Sequence, residues 1–199
     1  MQFEHLGARP RIDPTAVVAE TAVISGDVEI GPDCQVLHGA VITAEGGPIT
    51  LAACVIVMEN AVIRATSADP VHIGDHTLIG PGATVSGAVI GSEVFLATGT
   101  RVFNGARIGD RCEVRIGAIV HLRTTLPPET VVPIAWIAVG HPFGLYSPDR
   151  HDEIWAAQKE LDFPGYVFGL DRATPDLMVQ LTERYGRSLS RHGQDRRVD

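Results

Sequence analysis

The chain has 199 residues and a formal charge of −8, with 45% apolar but only 6% aromatic residues. The length suits one domain with a core of small and branched aliphatics, and the acidity excludes nucleic acid or an anionic membrane as the main partner, because phosphate-binding surfaces need clustered Lys and Arg. No stretch approaches the ~18–20 apolar residues of a membrane span, residues 1–14 lack the apolar centre of a signal peptide, and three Cys form no disulfide framework, so a cytoplasmic location is expected.

From Val18 onward an aliphatic recurs every six residues. The series runs Val18, Ile24, Ile30, Val36, Ile42, then Leu51, Val57, Ile63, then Ile73, Ile79, Val85, and finally Ile90 to Val132 in unbroken steps, with Ile12 extending it backwards. Two positions before each aliphatic stands a mostly small residue, such as Ala22, Cys34, Ala40, Ala61, Ala83 or Ala118. Inward residues at spacing two are a strand signal, and the six-residue period makes each strand short and turn-terminated. Gly follows the aliphatic at Gly31, Gly74, Gly80, Gly91 and Gly109, where a corner favours a residue without Cβ. Three strands make one triangular coil, and no coil buries its inward face without its neighbours. The expected fold is all-β, a left-handed parallel β-helix of six to seven coils over residues 10–141, with α-helices after it.

The period fails at three places: Ile42 to Leu51, Ile63 to Ile73 and Val85 to Ile90. All three fall at one corner, between the third strand of a coil and the first of the next. Interruptions of a repeat map to loops on one face, and that face often carries the binding function.

Residues 142–190 leave the repeat. Ser147-Pro148-Asp149 predicts a helix start and Pro164-Gly165 a break; Thr174-Pro175-Asp176 predicts a second helix with an apolar stripe of Leu177, Met178, Leu181 and Tyr185. Residues 191–199 are expected to be a disordered tail.

Residues 37–49, Leu-His-Gly-Ala-Val-Ile-Thr-Ala-Glu-Gly-Gly-Pro-Ile, resemble the W-x-G-A-V-I-R-G-D-x-G-x-I segment of the γ-carbonic anhydrases. Residues 56–64 resemble that family's N-I-Q-D-G-A-V-I-H, and residues 79–91 its V-G-H-G-A-x-L-H-G-C-x-I-G. The resemblance implies a homotrimer whose enzymes hold zinc by three His shared between neighbouring subunits. Those positions here are Arg64, Pro81 and Ser86, of which the first stays protonated, the second has no side-chain donor and the third is a poor zinc ligand when alone. The family's active-site Gln falls at Met58, and the Arg and Asp of R-G-D at Thr43 and Glu45.

No metal site is therefore expected, no cofactor is implied, and zinc carbonic anhydrase chemistry is set aside. The reading is metal-free binding or transformation of a small molecule at the subunit cleft, lined by Arg64, Ser86, Pro81, Met58, Glu59, Asn60, Thr43 and Glu45. Arg64 would anchor a carboxylate or an acyl carbonyl. A structural alternative pairs Arg64 with Glu59 or Glu45. A second alternative is an acyl-CoA-dependent, transferase-like enzyme, with His72 or His121 as general base and CoA as cofactor. A third is a non-catalytic scaffold or assembly subunit. The other His, His5 and His192 among them, read as surface or turn residues.

Overall fold

The computed structural model describes residues 1–199. Its strands stack into three parallel sheets around one core, a β-solenoid of about 8 turns of the left-handed β-helix type. The first sheet holds Val23–Ser25, Val41–Glu45, Val62–Thr66, Thr84–Ser86, Arg101–Val102 and Ile119–Val120. The second runs from Arg11–Ile12 to Thr125–Leu126, and the third from Val17–Val18 to Val131–Val132. The aliphatic series keeps register throughout, as in Ile42, Ile63 and Val85, which pair in succession. The stack exceeds six to seven coils because Gln2–Glu4 precedes the repeat and Ile137–Gly140 follows it on the first sheet.

The core is a single cluster of 35 buried residues, made of both inward columns. Cys34 and Cys112 belong to it, and burial pushes both thiols up. Ile63 is wholly buried. Ile63→Ala is expected to cost about 2–5 kcal/mol, read as a lower urea midpoint at unchanged slope.

The corner glycines have a packing reason rather than a torsional one. A Cβ on Gly31 would stand 2.6 Å from the Ala52 carbonyl oxygen, and one on Gly109 2.5 Å from the Pro128 nitrogen, so the missing side chain makes room for the next coil. The left-handed backbone at the corner between the second and third sheets is carried by non-glycine residues, including Asp33, Cys54, His76, Glu93 and Arg111.

The first sheet is closed at both ends by antiparallel strands. Phe143–Tyr146 folds back on Ile137–Gly140, and Arg196–Arg197 pairs with Gln2–Glu4. Between these lie α1 (His151–Gln158), α2 (Phe163–Phe168) and α3 (Leu177–Leu189). The first helical run ends before Pro164-Gly165 as expected: its last turn, Lys159–Leu161, gives way to Asp162 in the left-handed region, and Pro164 then sits in the first turn of the separate helix α2, where its missing N–H costs nothing. The expected disordered tail is ordered: a 3-10 turn, Ser190–Gln194, leads into strand Arg196–Arg197. Arg196 pairs with Glu4, a contact between residues too distant in sequence for local composition to reveal.

Candidate functional site

The three breaks become loops at the corner between the first and second sheets, at residues 46–48, 67–70 and 87–88. The longer strands beside them, Val41–Glu45 and Val62–Thr66, carry an outward column. Arg64 sits between Thr43 and Ser86 in register, and Glu45 lies opposite Thr66. Helices α2 and α3 pack over this column and enclose a cavity of about 520 Å³.

One wall of the cavity is polar, with Glu45, Arg64, Ser86 and Asn104 from the coils and Arg184 and Arg191 from the helical side. The other is aromatic. Phe103, Phe163, Phe168 and Tyr185 form an edge-to-face series with centroids 5.6–6.1 Å apart, and the Arg64 guanidinium lies 5.4 Å from the Tyr185 centroid. Arg64 Nη2 pairs with Glu45 Oε1 at 3.2 Å, while its Nε is buried without a hydrogen-bond partner. Of the two ion pairs weighed from sequence, the one with Glu45 forms.

Glu45 also meets His192, whose Nε2 is 2.9 Å from Oε1. Asp195 then bridges two imidazoles: its Oδ2 lies 2.8 Å from His192 Nδ1 and its Oδ1 2.6 Å from His5 Nδ1. The hydrogen bond to Asp195 raises the His192 pKa against the opposing effect of burial, and the one to Glu45 adds to it. Burial works to raise Asp195, but its bonds to His192 and His5 hold the carboxyl below the usual range. The expectation of surface or turn roles fails for His5, which is 3% exposed beneath the folded-back tail.

A buried carboxylate fastens α2. Asp69, in the longest loop, accepts from Tyr166 Oη at 2.7 Å and from Asn104 Nδ2 at 3.2 Å. Burial pushes the Tyr166 phenol up to about 12, and its bond to the Asp69 carboxylate adds to the shift. Asp69→Asn is expected to move the phenol back towards its ordinary value near 10, read by ultraviolet titration of the phenolate. Asp69→Ala should cost about 1–3 kcal/mol and speed proteolysis around α2.

The remaining expected residues fall into two groups. Met58, Glu59, Asn60 and Pro81 lie at the corner between the third and first sheets, outside the cavity of their own chain. His72 does not join the cavity either: it stands exposed on strand Val71–Ile73 of the second sheet rather than in the loop, because its neighbours Val71 and Ile73 point inward and strand alternation turns it to solvent. His121 stacks behind Phe103 at 5.6 Å with Nδ1 buried and unpartnered, and burial lowers its pKa. Asp69, Tyr166, Arg184 and Arg191 were missed from sequence, since nothing in the repeat tells where the helices fold back. Asp69, inside a repeat-breaking loop, was the one with a signal.

Coil stack, repeat and register define a hexapeptide-repeat β-helix protein, and the chain belongs to that class. Within it the sequence is similar to γ-carbonic anhydrases: it is 26% identical over 124 residues to γ-carbonic anhydrase 1, mitochondrial, of Arabidopsis thaliana, covering 59% of this chain and 45% of that protein. It is 36% identical over 143 residues to the carboxysome assembly protein CcmM of a Synechocystis strain, covering 65% of this chain and 20% of that protein. Both matches thus span less than half of the relative's length. A Bacillus cereus protein assigned as an acetyltransferase shares the fold, with a TM-score of 0.63, 20% identity, and coverage of 82% of this chain and 94% of that one. No family model matches the sequence. No helix is long and apolar enough to cross a membrane.

Proposed function

We propose that this is a cytoplasmic, metal-independent binder of small organic anions, with Arg64 as the anchoring cation and the cavity under α2 and α3 as the ligand space. The observation that carries the reading is the buried Arg64 Nε, which lacks a partner at the edge of a cavity that also holds Arg184 and Arg191. A buried donor left unpaired costs about 1–3 kcal/mol, so an acceptor brought by a ligand is favoured there. The aromatic wall suits the apolar part of a carboxylate. The three positions that carry zinc-binding His in the resembling enzymes hold Arg64, Pro81 and Ser86, and that donor set cannot complete a zinc site.

In this reading the active form is a homotrimer. Exposed Ile116 and Ile134 stand at the corner between the third and first sheets, near exposed Phe95 and Val131 of the third sheet. An apolar patch of this kind favours an interface. A neighbouring subunit there would bring Met58, Glu59, Asn60 and Pro81 towards Arg64 and Ser86. Light scattering in solution tests the trimer, and calorimetric titration with a panel of small aliphatic and aromatic carboxylates tests the ligand. An assembly role is a second reading, favoured by the 36% identity to a carboxysome assembly protein. A panel without binders, from a protein that is a stable trimer, would favour it.

A further inference from the structure

We propose that His5, His192 and Asp195 form a binding site for a zinc-type divalent cation, which clips residues 190–197 onto the first strand of the coil stack. The site is separate from the anion reading and does not depend on it. One ring nitrogen of His5, one of His192 and an Asp195 carboxylate oxygen all lie within 4.8 Å of one another. Both Nδ1 atoms are aimed at one carboxylate, and the two rings stack with centroids 4.3 Å apart. Ligands about 2.1 Å from a shared zinc stand about 3.4 Å apart in a tetrahedron, so an ion enters when one imidazole turns out of the stack and both ring lone pairs converge on it. Two imidazoles and a carboxylate suit zinc and its late first-row neighbours, whereas magnesium and calcium prefer all-oxygen sets.

A second observation points the same way. A His that binds a metal through one nitrogen almost always gives its other N–H to a carboxylate or carbonyl, which fixes the ring. That partner is already in place: His192 Nε2 faces Glu45 Oε1 at 2.9 Å, and Glu45 is itself held by Arg64 at 3.2 Å. The donors are also fixed from both ends of the chain. His5 and Ala8 exchange two backbone hydrogen bonds of 3.0 Å around a tight turn, and Arg196–Arg197 pairs with Phe3 and Glu4 just beyond Asp195. Three protein ligands leave a fourth position for water, and the buried His5 ring keeps bulk solvent from the inner side.

The test uses the full chain without an affinity tag, stripped with a chelator and dialysed. Zn²⁺ is followed by calorimetry and Co²⁺ by visible absorption. The expected result is one ion per chain, with Co²⁺ bands of a four-coordinate site and with Mg²⁺ failing to compete. Asp195→Asn keeps a hydrogen-bonding oxygen but loses the anionic ligand, and it should lower affinity at least tenfold, as should His192→Ala. His76→Ala, at an exposed turn on another sheet, should change nothing. Absence of Zn²⁺ uptake by the wild-type chain overturns the proposal, because the cluster is then a hydrogen-bonded network only. Uptake that persists unchanged in both Asp195→Asn and His192→Ala overturns it equally. The wild-type result stands even if a variant fails to fold.

Discussion

Arg64→Ala is expected to weaken binding of a small carboxylate by about 10- to 100-fold while the coil stack stays folded. One charge-assisted hydrogen bond is worth about 1.5–3 kcal/mol, which corresponds to that range. The coil does not depend on this side chain, because the inward neighbours Ile63 and Ala65 hold the strand in the core and Arg64 points outward. Arg64→Lys should fall between the two, since an ammonium keeps the charge but loses the planar fork and its packing over Tyr185. Glu45→Gln separates ligand binding from structure. Glu45 competes with any bound carboxylate for the guanidinium, so removing its charge should tighten binding several-fold even though an ion pair is lost. A ligand role for Arg64 is refuted if Arg64→Ala disrupts assembly, seen by light scattering, while carboxylate affinity in the remaining folded protein is unchanged. The Arg64–Glu45 pair would then serve only to hold the corner.

The β-helix was legible because its signal is repetitive and local. Each aliphatic from Ile24 to Val132 occupies the same environment, so a periodic pattern states the fold many times over, and the register of Ile42, Ile63 and Val85 follows from spacing alone. The outward column of Thr43, Arg64 and Ser86 was legible for the same reason. So was Glu45 on the coil side, but the helical side of the cavity was not. Phe163, Phe168, Tyr185 and Arg191 reach it only because the helices turn back along the coils, and nothing periodic encodes that turn. The His5–Asp195 contact joins residues 190 positions apart, and from sequence its partners read as a surface or turn His and a disordered tail. Met178 shows the limit of pattern reading from the other side: it belongs to the expected apolar stripe of α3 yet is 63% exposed, because only Leu181 and Tyr185 of that stripe line the cavity. His72 is turned to solvent because it lies between the inward residues Val71 and Ile73 of a strand.

Removing residues 190–199 is expected to lower the melting temperature by about 5–10 °C and to promote self-association. The segment performs two tasks. It covers the edge of the ten-stranded sheet, where Arg196–Arg197 pairs with Gln2–Glu4, and an uncovered edge strand offers free N–H and C=O groups to other chains. It also supplies partners to buried and partly buried polar groups: Asp195 to His5, Arg196 to Glu4 and His192 to Glu45. Leaving one buried polar group unpaired costs about 1–3 kcal/mol, and a chain of this size loses about 2–4 °C per kcal/mol. The drop should be smaller for Arg196→Ala, which removes the pair with Glu4 but leaves the backbone pairing intact. Light scattering across a concentration series would show the exposed edge directly, as a mass that rises for the shortened chain and stays constant for Arg196→Ala. Equal melting temperatures for the shortened and full chains would mean that the tail adds no stability. The ordering of Glu45, and through it the orientation of Arg64, would then have to come from the coils alone.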